Sequence, residues 1–174
     1  MGNNNLGEHG PATAAYLAEC PYLHTVDMSG NHLGADGPAT AEKFTHTRSL
    51  HTVYMQYNNL RGHGPETAKY LAECLNLHTV YMQYNDLAHY GPATAKYLAE
   101  CPNLHTVYMH YNNLRGHGPA TAAAFDSHNQ YLADLKQTIH TPSMFTTVLN
   151  PDGMPPDVVD LIGVFLPPID ATVY

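Results

Sequence analysis

The sequence predicts an α/β solenoid of stacked strand, turn and helix units, and three observations carry that reading. A phrase of 27 residues recurs five times along the 174-residue chain, its first copy partial. Inside each phrase, apolar residues alternate with period two and then switch to helical spacing. Between the two patterns stands a Gly-Pro pair: Gly10-Pro11, Gly37-Pro38, Gly64-Pro65, Gly91-Pro92 and Gly118-Pro119.

The copy from Leu50 to Asn76, LHTVYMQYNNLRGHGPETAKYLAECLN, sets out the elements in order. Val53-Tyr54-Met55-Gln56 alternates apolar and polar, so a strand is expected with Val53 and Met55 facing the core and Thr52, Tyr54 and Gln56 facing outward. Asn58 closes the strand where the chain must turn, and its amide carries the donors and acceptor that a buried turn needs. The same asparagine recurs as Asn4, Asn31, Asn85 and Asn112, and a structural ladder is the expectation for all five. Gly64-Pro65 then opens a helix, because proline at the first helical position loses no hydrogen bond and has its φ preset. Ala68, Leu71 and Ala72 continue it at helical spacing.

One such unit cannot bury its own apolar side, so the copies must stack on a shared core. Helices need about 10 Å of width against about 4.8 Å for strands. The expected stack therefore curves, with parallel strands on a concave inner wall and helices on the convex side.

Leu50, Val53, Met55, Asn58 and Leu60 fall on the frame L-x-x-L-x-L-x-x-N-x-L, and Leu23, Leu77 and Leu104 open neighbouring copies in register. This frame resembles leucine-rich repeats. The G-P-A-T-A-x-Y-L-A-E-C segment resembles their ribonuclease-inhibitor-like class over residues 1 to about 125. The short, nearly identical copies are also similar in style to leucine-rich-repeat effectors of intracellular bacteria, of the Legionella type. That resemblance implies a non-catalytic protein acting in the cytoplasm, or in a host's cytosol, on a host protein or on another effector.

Composition narrows the classes. Seven Lys and Arg against fifteen Asp and Glu give a formal charge of −8, the wrong sign for nucleic acid or an anionic membrane. The opening MGNNNLGEHG has neither the basic start nor the apolar run of a signal peptide. Leu6 stands where a myristoylation signal following Gly2 wants Ser or Thr. Val158 to Ile169, the most apolar stretch, is short and broken by Asp160, so no membrane span is expected. Three cysteines without a secretion signal suggest a reducing compartment, with Cys20, Cys74 and Cys101 as small core thiols on the helix side.

The ends depart from the phrase. Met1 is in register with Met28, Met55, Met82 and Met109, so the chain starts inside a strand, and Gly2, Asn3, Asn4 and Asn5 are candidates to shield that edge. After residue 125 the phrase stops, and residues 126–174 are expected to form a helical C-terminal cap. Ser127 to Ile139 places Tyr131, Leu132, Leu135 and Ile139 on one helical face, 143–153 reads as a linker, and Pro155-Pro156-Asp157 opens a last helix through Phe165 or Leu166. Met154 to Leu166 also resembles the first helix of an F-box, L-P-x-x-[IVL]-x-x-x-I-x-x-[FY]-L. That implies an alternative role as a ubiquitin-ligase adaptor through Val158, Ile162, Phe165 and Leu166.

Neither metal nor catalysis is expected, and no cofactor. His24, His51, His78 and His105 form one ladder, and His9, His63 and His117 another that Asp36 and Tyr90 interrupt. Ladders run along a line, whereas zinc gathers its ligands around a point. No nucleophile elbow, P-loop or dinucleotide fingerprint occurs, and a repeated position duplicates one side chain where an enzyme needs unlike partners.

The outward strand rows carry the candidate site. Across copies they read Thr25, Thr52, Thr79, Thr106; then Asp27, Tyr54, Tyr81, Tyr108; then Ser29, Gln56, Gln83, His110; then Gly30, Tyr57, Tyr84, Tyr111. Six tyrosines on a solvent-facing wall suit a partner protein, because tyrosine offers large area and a hydroxyl at small rotamer cost. Stacked tyrosines also stabilise a sheet by themselves, at roughly 0.2–1 kcal/mol per pair. The partner-binding candidates are therefore Asp27, Tyr54, Gln56, Tyr57, Tyr81, Gln83, Tyr84, Tyr108, His110 and Tyr111, with carbohydrate or peptide capture as the alternative. Four strands of some 20 Å at about 4.8 Å spacing give about 400 Å², half of a standard partner footprint, so loops must add to the contact.

Overall fold

A computed structural model describes residues 1–126, 146–148 and 162–164. It has the repeating strand and helix units and the parallel sheet that the phrase predicts. Four strands, β1 (Thr25–Asp27), β2 (Thr52–Tyr54), β3 (Thr79–Tyr81) and β4 (Thr106–Tyr108), pair in parallel, each residue opposite its counterpart 27 positions on. Backbone bonds between copies continue beyond the strands, for example Met55 N–H to the Tyr81 carbonyl (2.8 Å) and Tyr57 N–H to the Gln83 carbonyl (3.1 Å).

Helices α1 (Gly10–Ala18), α2 (Gly37–Glu42), α3 (Gly64–Ala72) and α4 (Gly91–Ala99) each begin at the Gly-Pro pair, with proline in the first turn. A fifth begins at Gly118 and is helical through residue 126. A short 3-10 turn precedes every one. The helices sit close: a Cβ on Gly64 would collide with Leu87 Cδ2 and lie 3.0 Å from Thr94 Oγ1 of the next copy. The Gly-Pro glycine therefore sets the approach of successive coils, beyond marking a helix start.

The core is built from the rows that the frame singles out. Val53, Val80, Met55, Met82, Leu60 and Leu87 are fully buried, and each such side chain contributes about 1.5–3 kcal/mol on removal from water. Phe44 fills the place that Leu71 and Leu98 hold in later copies, also fully buried.

The asparagine ladder forms, reaching toward the preceding copy. Asn58 Oδ1 accepts from Asn31 N–H (3.0 Å), while its amide donates to the carbonyls of Met28 and Met55 (both 2.9 Å). Asn85 and Asn112 repeat the pattern, and all three are completely buried. Each thus closes turns in two coils at once.

Three expectations need correction. Cys74 and Cys101 are buried, but Cys20 is exposed, because no helix of a preceding copy covers it as α2 covers α3. Burial pushes the thiols of Cys74 and Cys101 up to about 12 and about 11 respectively. Within the expected linker, Thr146–Val148 form a strand, β5, and within the expected last helix, Ile162–Val164 form β6. The sheet order is β1-β2-β3-β4-β6-β5, with β6 antiparallel to both neighbours. The physical reason is the open edge of β4, whose unpaired backbone groups select a β-branched segment over the helix that local spacing favours. The helix expected over 127–139 lies outside the described residues, as do Val158, Phe165 and Leu166.

At the other end the first residues lie on the edge of the stack. Asn3 N–H donates to the Ser29 carbonyl (2.7 Å) and Asn4 N–H to Asn31 Oδ1 (2.9 Å), continuing the asparagine ladder one step further. Among the described residues no helix is long and apolar enough to cross a membrane.

Candidate functional site

The outward rows lie on the strand face in the predicted order. Because β2, β3 and β4 hold counterpart residues opposite one another, Tyr54, Tyr81 and Tyr108 stack with ring centroids 4.4 and 4.6 Å apart and planes within 10°. Tyr57, Tyr84 and Tyr111 form a second stack at 4.3 and 4.6 Å. The first ladder is half-buried, and its middle phenol, Tyr81, is raised above the usual tyrosine range by burial and by its two neighbours. Stacked this closely, the rings cover each other's faces and present edges and hydroxyls to solvent.

The second ladder stands on an unusual backbone. Tyr57, Tyr84 and Tyr111 have φ of 58°, 55° and 56°, in the left-handed region, while the first copy has Gly30 there at 62°. For an L-residue with a bulky side chain this conformation costs roughly 1–2 kcal/mol. The turn itself dictates it, since a left-handed residue recurs at every second position, as at Tyr57, Asn59 and Arg61.

Between the ladders runs the row Ser29, Gln56, Gln83 and His110. The Oε1 atoms of Gln56 and Gln83 are buried with no hydrogen-bond partner among the described residues. His110 meets Tyr108, Tyr111 and Tyr84 edge-on, closing the row at the β4 side. Asp27 is exposed at the β1 side, where its Oδ1 accepts from Ser29 N–H (2.9 Å) and Ser29 Oγ (2.6 Å). All ten candidate residues therefore belong to one surface, and that surface has two unlike ends.

Flanking the threonine row, the imidazoles of His24, His51, His78 and His105 stack at 4.0, 4.8 and 4.9 Å. Nδ1 of His51 and of His78 donates to the carbonyls of Ser49 (2.7 Å) and Asn76 (2.8 Å), which fixes the plane of each ring. Desolvation lowers the His78 pKa below its ordinary value; the bond to Asn76 opposes this, and the fields of His105, His51 and His24 add to it. Sequence reasoning placed this ladder, and each of its histidines stands one residue ahead of a strand, those of β2 to β4 carrying the first tyrosine ladder.

Among the described residues no three His, Cys, Asp or Glu side chains gather around a point that would hold a metal ion. A depression away from the strand face, about 540 Å³, is open and lined by Thr45, His46, Thr47, Arg48, Glu73 and Leu75. No hydrogen bond there joins a nucleophile to a base. No family model matches the chain, and comparison with curated proteins finds no match.

Proposed function

We propose that this chain is a protein-binding module of the leucine-rich-repeat type, its stack curved so that the tyrosine-bearing strand face forms the inner wall that docks a partner. The observation that carries the proposal is the left-handed backbone at Tyr57, Tyr84 and Tyr111. Glycine would be unstrained there, yet three copies carry an exposed aromatic ring whose stacking, at roughly 0.2–1 kcal/mol per pair, only about offsets the strain. Unpaired Gln56 and Gln83 acceptors between the ladders add polar groups that a partner's donors would satisfy.

Carbohydrate capture fits this wall less well. Sugar rings pack on aromatic faces, and here the interior faces are occupied by neighbouring tyrosines at 4.3–4.6 Å. The adaptor reading needed Ile162 on an exposed helix, and Ile162 belongs to β6.

The test compares the wild type with a Tyr54/Tyr81/Tyr108 triple alanine variant in cross-linking mass spectrometry, after circular dichroism confirms that both are folded. Cross-links should map to the strand rows and disappear in the variant. Cross-links that persist, or that map to the α1 to α4 side, would refute a strand-face partner.

A further inference from the structure

Both tyrosine ladders stop at the same place. Across the β1–β2 pairing Asp27 stands opposite Tyr54, and in the second ladder Gly30 stands where Tyr57 has its next rung. Each ladder therefore lacks its fourth ring, and no ring stacks on the β1 side of Tyr54 or Tyr57 among the described residues. The second ladder registers this in its exposure: Tyr57 and Tyr111, the end rungs, are 53% and 52% exposed, against 40% for the enclosed Tyr84.

Asp27 does not fill its rung. A carboxylate is much shorter than a phenol, so space remains above it alongside the outer face of Tyr54. Its Oδ1 is held by Ser29 N–H and Oγ, which aims the group and leaves Oδ2 with no hydrogen bond or ion pair among the described residues. Gly2 backs it, where a Cβ would lie only 2.7 Å from Oδ2. At Gly30 the root of the missing rung is covered by Asn3, whose side chain and Cα are the nearest atoms to it. Among the four outward rows Asp27 is the one anionic residue, the others being Thr, Tyr, Ser, Gln, His and Gly.

We propose that the vacant rung beside Tyr54 is an arginine slot: a guanidinium from the partner protein lies flat on the outer face of Tyr54 and pairs with Asp27. This rests on the strand-face reading above and names the chemistry of its partner. An arginine satisfies both halves of the slot, since its planar group stacks on an aromatic face while its N–H groups donate to the open Oδ2. Lysine, a compact point charge, satisfies only one. The chain's net charge of −8 favours a basic partner surface in the same sense.

The probe is acetyl-Gly-Arg-Gly-amide against its lysine counterpart, read by the ring resonances of Tyr54 and Tyr57 in NMR titration. The arginine peptide should give saturable shifts, with the lysine peptide about fivefold weaker. Asp27→Asn should weaken the arginine peptide to the lysine level. Asp27→Tyr, which completes the ladder with the residue used in three copies, should fold normally and abolish the shifts. Equal shifts from both peptides, no saturation, or shifts unchanged in Asp27→Asn would overturn the slot. If the triple alanine variant loses its cross-links while the arginine peptide leaves Tyr54 unmoved, the partner surface stands and the slot is wrong. Persisting cross-links together with an unmoved Tyr54 refute both.

Discussion

Thr47 is a residue whose environment the repeat itself criticises. It takes the place of Cys74 and Cys101, is 7% exposed, and its hydroxyl is buried without a hydrogen-bond partner among the described residues. The cysteines fit because a thiol is a weak donor that tolerates long bonds, such as Cys74 Sγ to the Phe44 carbonyl at 3.4 Å. Removing an unsatisfied buried hydroxyl while keeping its shape recovers desolvation free energy, so Thr47→Val should raise stability by about 1 kcal/mol, seen as a higher urea midpoint. Tyr84 poses the opposite case. Replacing it by glycine relieves roughly 1–2 kcal/mol of left-handed strain but loses two stacked rings and one edge-on contact, of roughly 0.2–1 kcal/mol each, and adds chain entropy to the unfolded state. Tyr84→Gly should therefore unfold within about 1 kcal/mol of the wild type while breaking the second ladder. A loss of several kcal/mol would assign the ring to stability and remove the main support for a binding role. The alternation around Tyr54 made the outward rows legible in the sequence. The backbone conformation at Tyr57 was not, because a positive φ is read from glycine and asparagine, and here a tyrosine adopts it.

At the scale of the element, the Gly-Pro pair was legible as a helix start, but its second role was not, since close approach between coils depends on side chains of the next copy such as Leu87 and Thr94. Gly64→Ala tests that role: φ is −55°, so the added methyl brings no backbone strain and only the contact with Leu87 and Thr94. Overpacking of this kind should cost about 1–3 kcal/mol by denaturant titration, although alanine is the better helix former. β5 and β6 were illegible for a related reason, because helical spacing in Asp157 to Leu166 is local whereas the demand of the β4 edge is not. Within the histidine ladder, His78 gives the element a pH dependence. The folded pKa of His78 lies below its ordinary value, so the unfolded chain binds protons first as pH falls. Its contribution is fully present above about pH 6.5 and is lost on descending through and below it. The thermal midpoint should therefore drop between pH 7.5 and 5.5, and His78→Gln should flatten that drop. Glu73 is the nearest charged residue to His78 in sequence, and among the described residues no ion pair ties it to that ring.

At the scale of the whole molecule, the described copies form a one-dimensional array in which each packs on its neighbours in sequence. Contacts run from α1 to α2, α2 to α3 and α3 to α4, and β-pairing follows the same order until β6. Stability in such an array is a sum of intrinsic copy terms and nearest-neighbour interfaces. Removing Leu77 to Asn103 deletes one complete copy and brings Leu104 directly after Asn76, with every row restored: Asn58 would meet Asn112, and Tyr54 would stack on Tyr108. The shortened chain should keep its circular dichroism and unfold cooperatively, with a lower midpoint and a smaller m value because one interface and its buried surface are gone. Deleting only 77–90 removes β3 and its turn and leaves α4 without them, so Asn58 N–H and the Met55 carbonyl lose the Asn85 amide that the next rung of the ladder supplies. That variant should fail to fold. A full-copy deletion that also collapses would mean that the ends and the middle of the stack stabilise one another at a distance, contrary to the nearest-neighbour order of its contacts.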